Sequence, residues 1–234
     1  MRVNQVFFRT GDRIHPDQAR AMVALMLNEI QPALMASLMN YHPDSKKSQT
    51  SFPPVHFSGA KNGFSIIGFG ETGATIAEDV SPIIHKALAA RLNGKIIQVQ
   101  SNELQLKAEK RPYALRYCIG RMVVQKHQIH RDWLKNPEKG KKHIEDLFLR
   151  SLKRQAEAVG LVLPEGISVE FMGANGEFAA KQKPEDKVAR LGLKQAMFDV
   201  NLKLEGIWTA GYMLSKGFGA FNASYQLSAG QEFV

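Results

Sequence analysis

PVHFSGAKNGFSIIGFG, residues 54–70, contains two short β-prone runs, PVHFS at 54–58 and GFSIIGFG at 63–70, joined by Gly59–Asn62. Valine, isoleucine and phenylalanine suit a pleated, half-buried surface, so both runs read as strands. Upstream, residues 3–8 alternate as a strand. Pro16 then opens a helical pattern with apolar residues at Ala19, Met22, Val23, Met26, Ile30 and Leu34. Pro32 should kink or end that helix near Ile30, and the polar stretch Tyr41–Ser51 reads as a loop. Downstream, residues 73–92 repeat the helical spacing through Ile76, Val80, Ile83, Ile84, Leu88 and Leu92, with Pro82 inside. GKIIQVQ at 94–100 and ELQLKAE at 103–109 return to strand.

That order, βαββαβ, is the ferredoxin-like unit shared with RNA-recognition modules. The second half reads as a looser copy. Tyr113–Val124 alternates as a strand, and Lys139–Val159 is helical with Ile144, Leu147, Phe148 and Leu152 as its apolar stripe. ISVEFMG at 167–173, LKQAMFDVNLKLEG at 193–206 and GAFNASYQL at 219–227 read as strands, and 207–214 as a short helix or turn. The expectation is an α+β chain of two ferredoxin-like (RRM-like) lobes, 1–109 and 110–234. The second lobe carries a projecting basic helical insertion at 126–160 and a glycine-rich loop at 206–221.

Charge is unevenly placed. Between Lys110 and Arg154 there are thirteen Lys/Arg and four Asp/Glu, a surplus equal to the formal net charge of the whole chain, +9. Concentrated positive charge is the footprint of a polyanion. Nucleic acid is favoured over a membrane surface, because no segment there pairs basic residues with a broad Trp/Phe/Leu face. Arg111, Arg116 and Arg121 lie on the strand. Lys126, His127, His130, Arg131, Lys135, Lys139, Lys141 and Lys142 follow across a loop and a helix start. Arg150, Lys153 and Arg154 lie along one helix at i, i+3 and i+4, a stripe able to follow phosphates.

MRVNQVFFRT enters a strand pattern directly, without the apolar core of a signal peptide, and no run approaches the ~18 apolar residues of a membrane span. Cys118 is the sole cysteine, which excludes an intrachain disulfide and a thiolate cluster and points to a reducing, cytoplasmic compartment. Its apolar strand context, YALRYCIGRMVV, predicts a buried, inert thiol. The seven histidines are scattered, only His127 and His130 are close, and no acidic neighbour completes a zinc set. No G-x-S-x-G, H-E-x-x-H or paired-carboxylate motif occurs, so neither metal, cofactor nor acyl-enzyme is expected.

GIWTAGYMLSKGFGAF, residues 206–221, is the most informative motif. Its glycines permit positive φ and close backbone approach, Lys216 adds a cation, and Tyr212 and Phe218 offer faces for stacking. It lacks the G-K-[ST] ending of a P-loop. A tight turn packed against the sheet would use the same glycines, and both readings stand at this point.

Duplicated βαββαβ patterns, an Arg/Lys-rich helical segment and a terminal glycine-rich loop resemble the repeat-processing endoribonucleases of CRISPR systems. The likeness spans the chain and is closest to the type IV branch through FPPVHFSGAKNGFSIIGFGETG, RPYALRYCIGRMVVQKH and GIWTAGYMLSKGFGAFNAS. The resemblance implies binding of a crRNA repeat stem-loop, cleavage at its 3′ base, and retention with other subunits of an interference complex. It implies no membrane partner.

It also implies a base for the ribose 2′-hydroxyl, cations for the phosphorane and a donor for the leaving 5′-oxygen. Many relatives place a histidine in or beside the first helix, where this chain has Gln31; His15, just before the helix, is the histidine available there. The type I-F Y-x-L-S-K-G segment matches Tyr212–Gly217, carrying over Tyr212, with Ser215 and Lys216 beside it and Gly217 and Phe218 as RNA contacts. Type IV enzymes lean on arginines, which suits Arg9, Arg13 and Arg20. The candidate catalytic set is therefore Arg13, His15, Arg20, Tyr212, Ser215 and Lys216. A non-catalytic crRNA-binding subunit and an RRM-type translational regulator are the rival readings.

Overall fold

The computed structural model describes residues 2–14, 16–30, 32–39, 52–91, 98–125, 136–181, 189–222 and 226–227. They form an α+β protein with antiparallel sheets. Two compact units divide it. The first comprises Met1–Gln105 with Ala158–Gly160 and Ser215–Gly217; the second comprises Leu106–Glu157, Leu161–Leu214 and Phe218–Val234. Among the described residues no helix is long and apolar enough to cross a membrane.

The first unit contains β1 (Arg2–Arg9), α1 (Pro16–Ile30), α2 (Pro32–Leu38), β2 (Val55–Ala60), β3 (Gly63–Phe69), α3 (Gly70–Arg91) and β4 (Gln98–Gln105). Its sheet runs β2-β3-β1-β4, with every neighbouring pair antiparallel. Pro32 ends α1 as its missing N–H requires and opens α2, while Pro82 sits inside α3. Val6 and Phe8 of β1 and Phe64 and Ile66 of β3 meet Ala19, Val23, Met26 and Leu27 of α1 and Val80, Ile84 and Leu88 of α3 in one core. Phe8 and Phe64 stack with centroids 5.0 Å apart. Both are fully buried, and truncating either to alanine should cost about 3–5 kcal/mol. Gly63 is obligatory here: at φ +156 a Cβ would fall 1.9 Å from the Phe8 carbonyl oxygen. ELQLKAE does not form a separate strand. Its first half completes β4, and its second half begins the next strand after Leu106.

The second unit is built on β5 (Lys107–Val123) and β8 (Ala189–Glu205), two 17-residue strands paired antiparallel. Between them come α4 (Pro137–Ala158), β6 (Val169–Gly173) and β7 (Gly176–Lys181). β6 pairs with Met197–Val200 of β8 and β7 with Ala189–Lys194, so one long strand supports both in succession. The chain closes with β9 (Ile207–Thr209), a 3₁₀ turn at Leu214–Lys216, β10 (Ala220–Asn222) and β11 (Gln226–Leu227). β9 and β10 form a ribbon, and β11 pairs with β5.

α4 is the one helix among the described residues of this unit, where the sequence pattern suggests a basic insertion projecting from the lobe. Ile144, Leu147, Phe148 and Leu152 are buried, and Phe148 stacks on Phe198 of β8 at 4.3 Å, so α4 lies on the sheet. Cys118 is exposed rather than buried. Strand alternation turns Leu115, Tyr117 and Ile119 inward, which puts residue 118 on the opposite face.

Candidate functional site

The glycine-rich loop is tied down from two sides by elements of the second unit. β5 supplies backbone bonds: the Tyr212 N–H donates to the Val123 carbonyl at 2.8 Å, and the Gly219 N–H to the Arg121 carbonyl at 2.7 Å. α4 supplies side chains. Gln155, fully buried, accepts from the Thr209 N–H and hydroxyl, both at 2.8 Å, and donates to the Ile207 carbonyl at 2.8 Å. The Ser151 hydroxyl accepts from the Gly211 N–H at 3.0 Å. Buried amides and hydroxyls without partners cost about 1–3 kcal/mol each, so these bonds hold the loop in one conformation. Gly219, at φ +77, admits no side chain: a Cβ would lie 2.0 Å from the Ala210 carbonyl oxygen. Met213 takes φ +60, a left-handed conformation uncommon outside glycine, immediately after Tyr212. Neither Ser151 nor Gln155 stands out in the sequence, where both read as polar residues on a charged helix.

The three arginines of β5 have different fates. Arg111 donates to Glu109 at 2.7 Å. Arg116 makes a bidentate pair with Asp199 of β8, both bonds 2.7 Å, and this hydrogen-bonded carboxylate raises its pKa. Arg121 instead lies over the ring of Phe178, 4.3 Å from its centroid, and 5.2 Å from that of Phe218.

On α4, Lys139, Lys142, Arg150, Lys153 and Arg154 are exposed, although Glu138, Asp146 and Glu157 share that surface. Lys141 pairs with Glu170 of β6 at 3.0 Å, which raises its pKa. It also lines a cleft of about 790 Å³ between α4 and the β6 region, together with Glu145, Leu149 and Ser168. Lys126, His127, His130, Arg131 and Lys135 lie outside the described residues, as do His15 and Gln31.

In the first unit, Arg13 is exposed on the turn after β1. Bonds from the Thr10 and Gly11 N–H groups to the Asn62 carbonyl, at 2.9 and 3.2 Å, stitch this turn to the β2–β3 connection. Arg20 is half-buried on α1. Ser215, Lys216 and Gly217 belong to the same unit, whereas Tyr212 and Phe218 belong to the second. His56 of β2 is fully buried and edge-on to Phe69 at 4.8 Å; among the described residues neither ring nitrogen makes a hydrogen bond of good geometry, and the Pro53 backbone gives the charged ring only partial support. Burial pushes its pKa down to about 3, so the ring is neutral. Among the described residues no three His, Cys, Asp or Glu side chains converge as a metal set.

Comparison with known proteins places the chain. The family model described as "Type IV CRISPR-associated endonuclease Csf5" matches residues 1–224. No curated protein matches the sequence. Among solved structures, the fold is similar to a Csf5 described as a CRISPR-Cas type IV Cas6 crRNA endonuclease. The TM-score is 0.72 at 17% identity, covering 94% of this chain and 98% of that one. It is also similar to a Cas6b structure, with a TM-score of 0.62 at 13% identity over 95% of this chain and 100% of the other.

Proposed function

We propose, from the premise that this chain belongs to the type IV CRISPR-associated endonuclease family, that it processes CRISPR transcripts as a metal-independent endoribonuclease. It binds the repeat stem-loop, cuts the precursor to mature crRNA, and stays on the 3′ handle within an interference complex. The match over residues 1–224, which takes in the YMLSKG segment of the loop, carries this reading. The similarity to a type IV Cas6 crRNA endonuclease supports it at the level of fold. So does the sheet order of the first unit, β2-β3-β1-β4 in a βαββαβ chain, which is what a ferredoxin-like lobe requires.

In this mechanism the ribose 2′-oxygen attacks the adjacent phosphorus while its proton passes to a base. The 5′-oxygen leaves with a proton, giving a 2′,3′-cyclic phosphate and a 5′-hydroxyl. Tyr212, on a loop fixed by Ser151 and Gln155, orients the ribose or the base. Arg13, Arg20 and Lys216 supply positive charge to the phosphorane, a task that suits arginine well, since a guanidinium that keeps its charge is a poor base. His15 is the candidate base and Ser215 a candidate hydrogen-bond donor. The exposed cations of α4, Arg150, Lys153 and Arg154 above all, hold the stem through its phosphates.

The test is incubation of the purified protein with its own array's repeat RNA, with and without EDTA, and mapping of the product ends. Single-site cleavage that survives EDTA and is blocked by a 2′-deoxy nucleotide before the cut is expected. Complete loss of cutting in EDTA would overturn the mechanism. Gln31, standing where many relatives have a histidine, favours one second reading: a subunit that grips crRNA without cutting it, which tight binding with no product would establish.

A further inference from the structure

The C-terminal end of β5 meets β7 and the glycine-rich loop in an arrangement that stem binding does not require. Cross-strand register sets Val123 of β5, Gly192 of β8 and Phe178 of β7 in one row, and Arg121, Lys194 and Gly176 in a second row two residues along, on the same face. Gly192 leaves the middle of the first row empty: a Cβ there would lie 2.2 Å from Cζ of Phe178, so the ring lies across β8. From that position it stacks on Phe218 of the loop, with centroids 5.6 Å apart and planes 19° from parallel. Phe218 is buried, Phe178 half-buried, and Arg121 exposed above them. The guanidinium carbon lies 4.3 Å from one ring centroid and 5.2 Å from the other, so the cation rests against both rings at a solvent-exposed position.

The second row sets Arg121 directly opposite Lys194, and both are exposed. Like charges directly opposite on a sheet destabilise it. Among the described residues neither side chain enters an ion pair, whereas Arg116, five residues back on the same strand, has Asp199. One ammonium without a carboxylate partner among the described residues, directly opposite a guanidinium held on aromatic rings, matches a nucleotide: a phosphate attached to a planar base. A paired base has its faces stacked within the helix and offers only its backbone, so the stacking surface selects an unpaired one.

We propose that Arg121, Lys194 and the Phe178–Phe218 pair seat one unpaired nucleotide of the RNA. The base stacks on the exposed Arg121 guanidinium and its phosphate pairs with Lys194. This deepens the RNA-processing reading above and rests on it. Phe178, Gly192 and Lys194 are the residues it adds.

The experiment uses the full chain and repeat RNA carrying 2-aminopurine at each unpaired position in turn, with fluorescence and binding as readouts. Quenching at one position is expected. Arg121→Ala should abolish that quenching and weaken binding about tenfold, within the range for losing one base stack. The weakening should vanish on RNA made abasic at that position. Arg121→Lys keeps the charge without the plane and should lose the quenching while keeping the salt slope. Gly192→Ala, which displaces the Phe178 ring and so unseats the Arg121 guanidinium while keeping its charge, should also reduce quenching, with circular dichroism confirming the fold. The proposal fails if no position is quenched, or if Arg121→Ala weakens intact, abasic and fully duplex RNA equally. Quenching without cleavage would keep the seat and remove the catalytic reading; cleavage without quenching would do the reverse.

Discussion

Arg116 and Arg121 stand five residues apart on β5 and face opposite demands. In the middle of the strand, Arg116 is held by both oxygens of Asp199, and its charge is spent within the protein. At the end, Arg121 rests on aromatic rings with no carboxylate against it among the described residues, and its charge remains for something outside. A count of arginines along a basic segment gives the strength of a field but not which cations can leave the protein's own network to meet a ligand. That depends on residues distant in sequence: Asp199 for one arginine, Phe178 and Phe218 for the other.

The largest effect that would sharpen this contrast lies with the charges assigned to chemistry. Arg20→Ala or Lys216→Ala should lower the single-turnover cleavage rate by about 10²–10³-fold, roughly 3–4 kcal/mol, with little change in RNA affinity. A change in pH profile on His15→Ala, and none on Arg20→Ala, would separate a base from a charge stabiliser. Wild-type rates in all three variants would put the reacting atoms elsewhere.

His56 extends the comparison to a polar group buried among aromatic rings. Burial lowers its folded pKa to about 3, against about 6.5 in an unfolded chain. Between those values the unfolded state takes up the proton and the folded state does not, so stability falls as the pH drops from about 6.5 toward 3. The limiting slope is about 1.4 kcal/mol per pH unit. Urea melts at successive pH values should show this slope, and His56→Phe should flatten it. An unchanged slope in that variant would assign the acid sensitivity to other groups.

Much of the first unit was legible because hydrophobic period and turn residues agreed: Pro16, Pro32 and the residues between the two β runs mark real boundaries. β7 escaped because GEFAAK is short, lacks β-branched residues, and is a strand only through its register with β8. The apolar stripe of α4 was readable from its spacing, but not that the sheet would cover it, nor that Ser151 and Gln155 would reach the loop 52 to 60 residues away. The glycine-rich loop announced itself, while Phe178, Gly192 and Lys194 did not, since their meaning lies across strands. Lys126, His127, His130, Arg131 and Lys135 fall outside the described residues and remain expectations of sequence.

Smaller effects test which cations are open. Reversing the charge of Arg150, Lys153 and Arg154 together should weaken stem-loop binding and flatten its salt dependence. The log–log slope should fall by roughly 0.7–0.9 for each phosphate these cations no longer neutralise. An unchanged slope would make the stripe a solvated face. The smallest effect is expected at Arg116→Gln, where RNA affinity should stay within about twofold because the partly exposed pair with Asp199 already occupies that charge. A weakening that matches Arg121→Ala would erase the distinction between the two arginines.

The exposure of Cys118 has a practical consequence. A chain with one thiol, turned away from the covered face of its sheet, carries a ready attachment point for a maleimide dye or a spin label. A single reporter can then be placed on the unaltered sequence, two residues from Arg116 on the same face of the sheet and three from Arg121 on the other. The arrival of RNA at this end of the strand can be followed in real time without first engineering the protein.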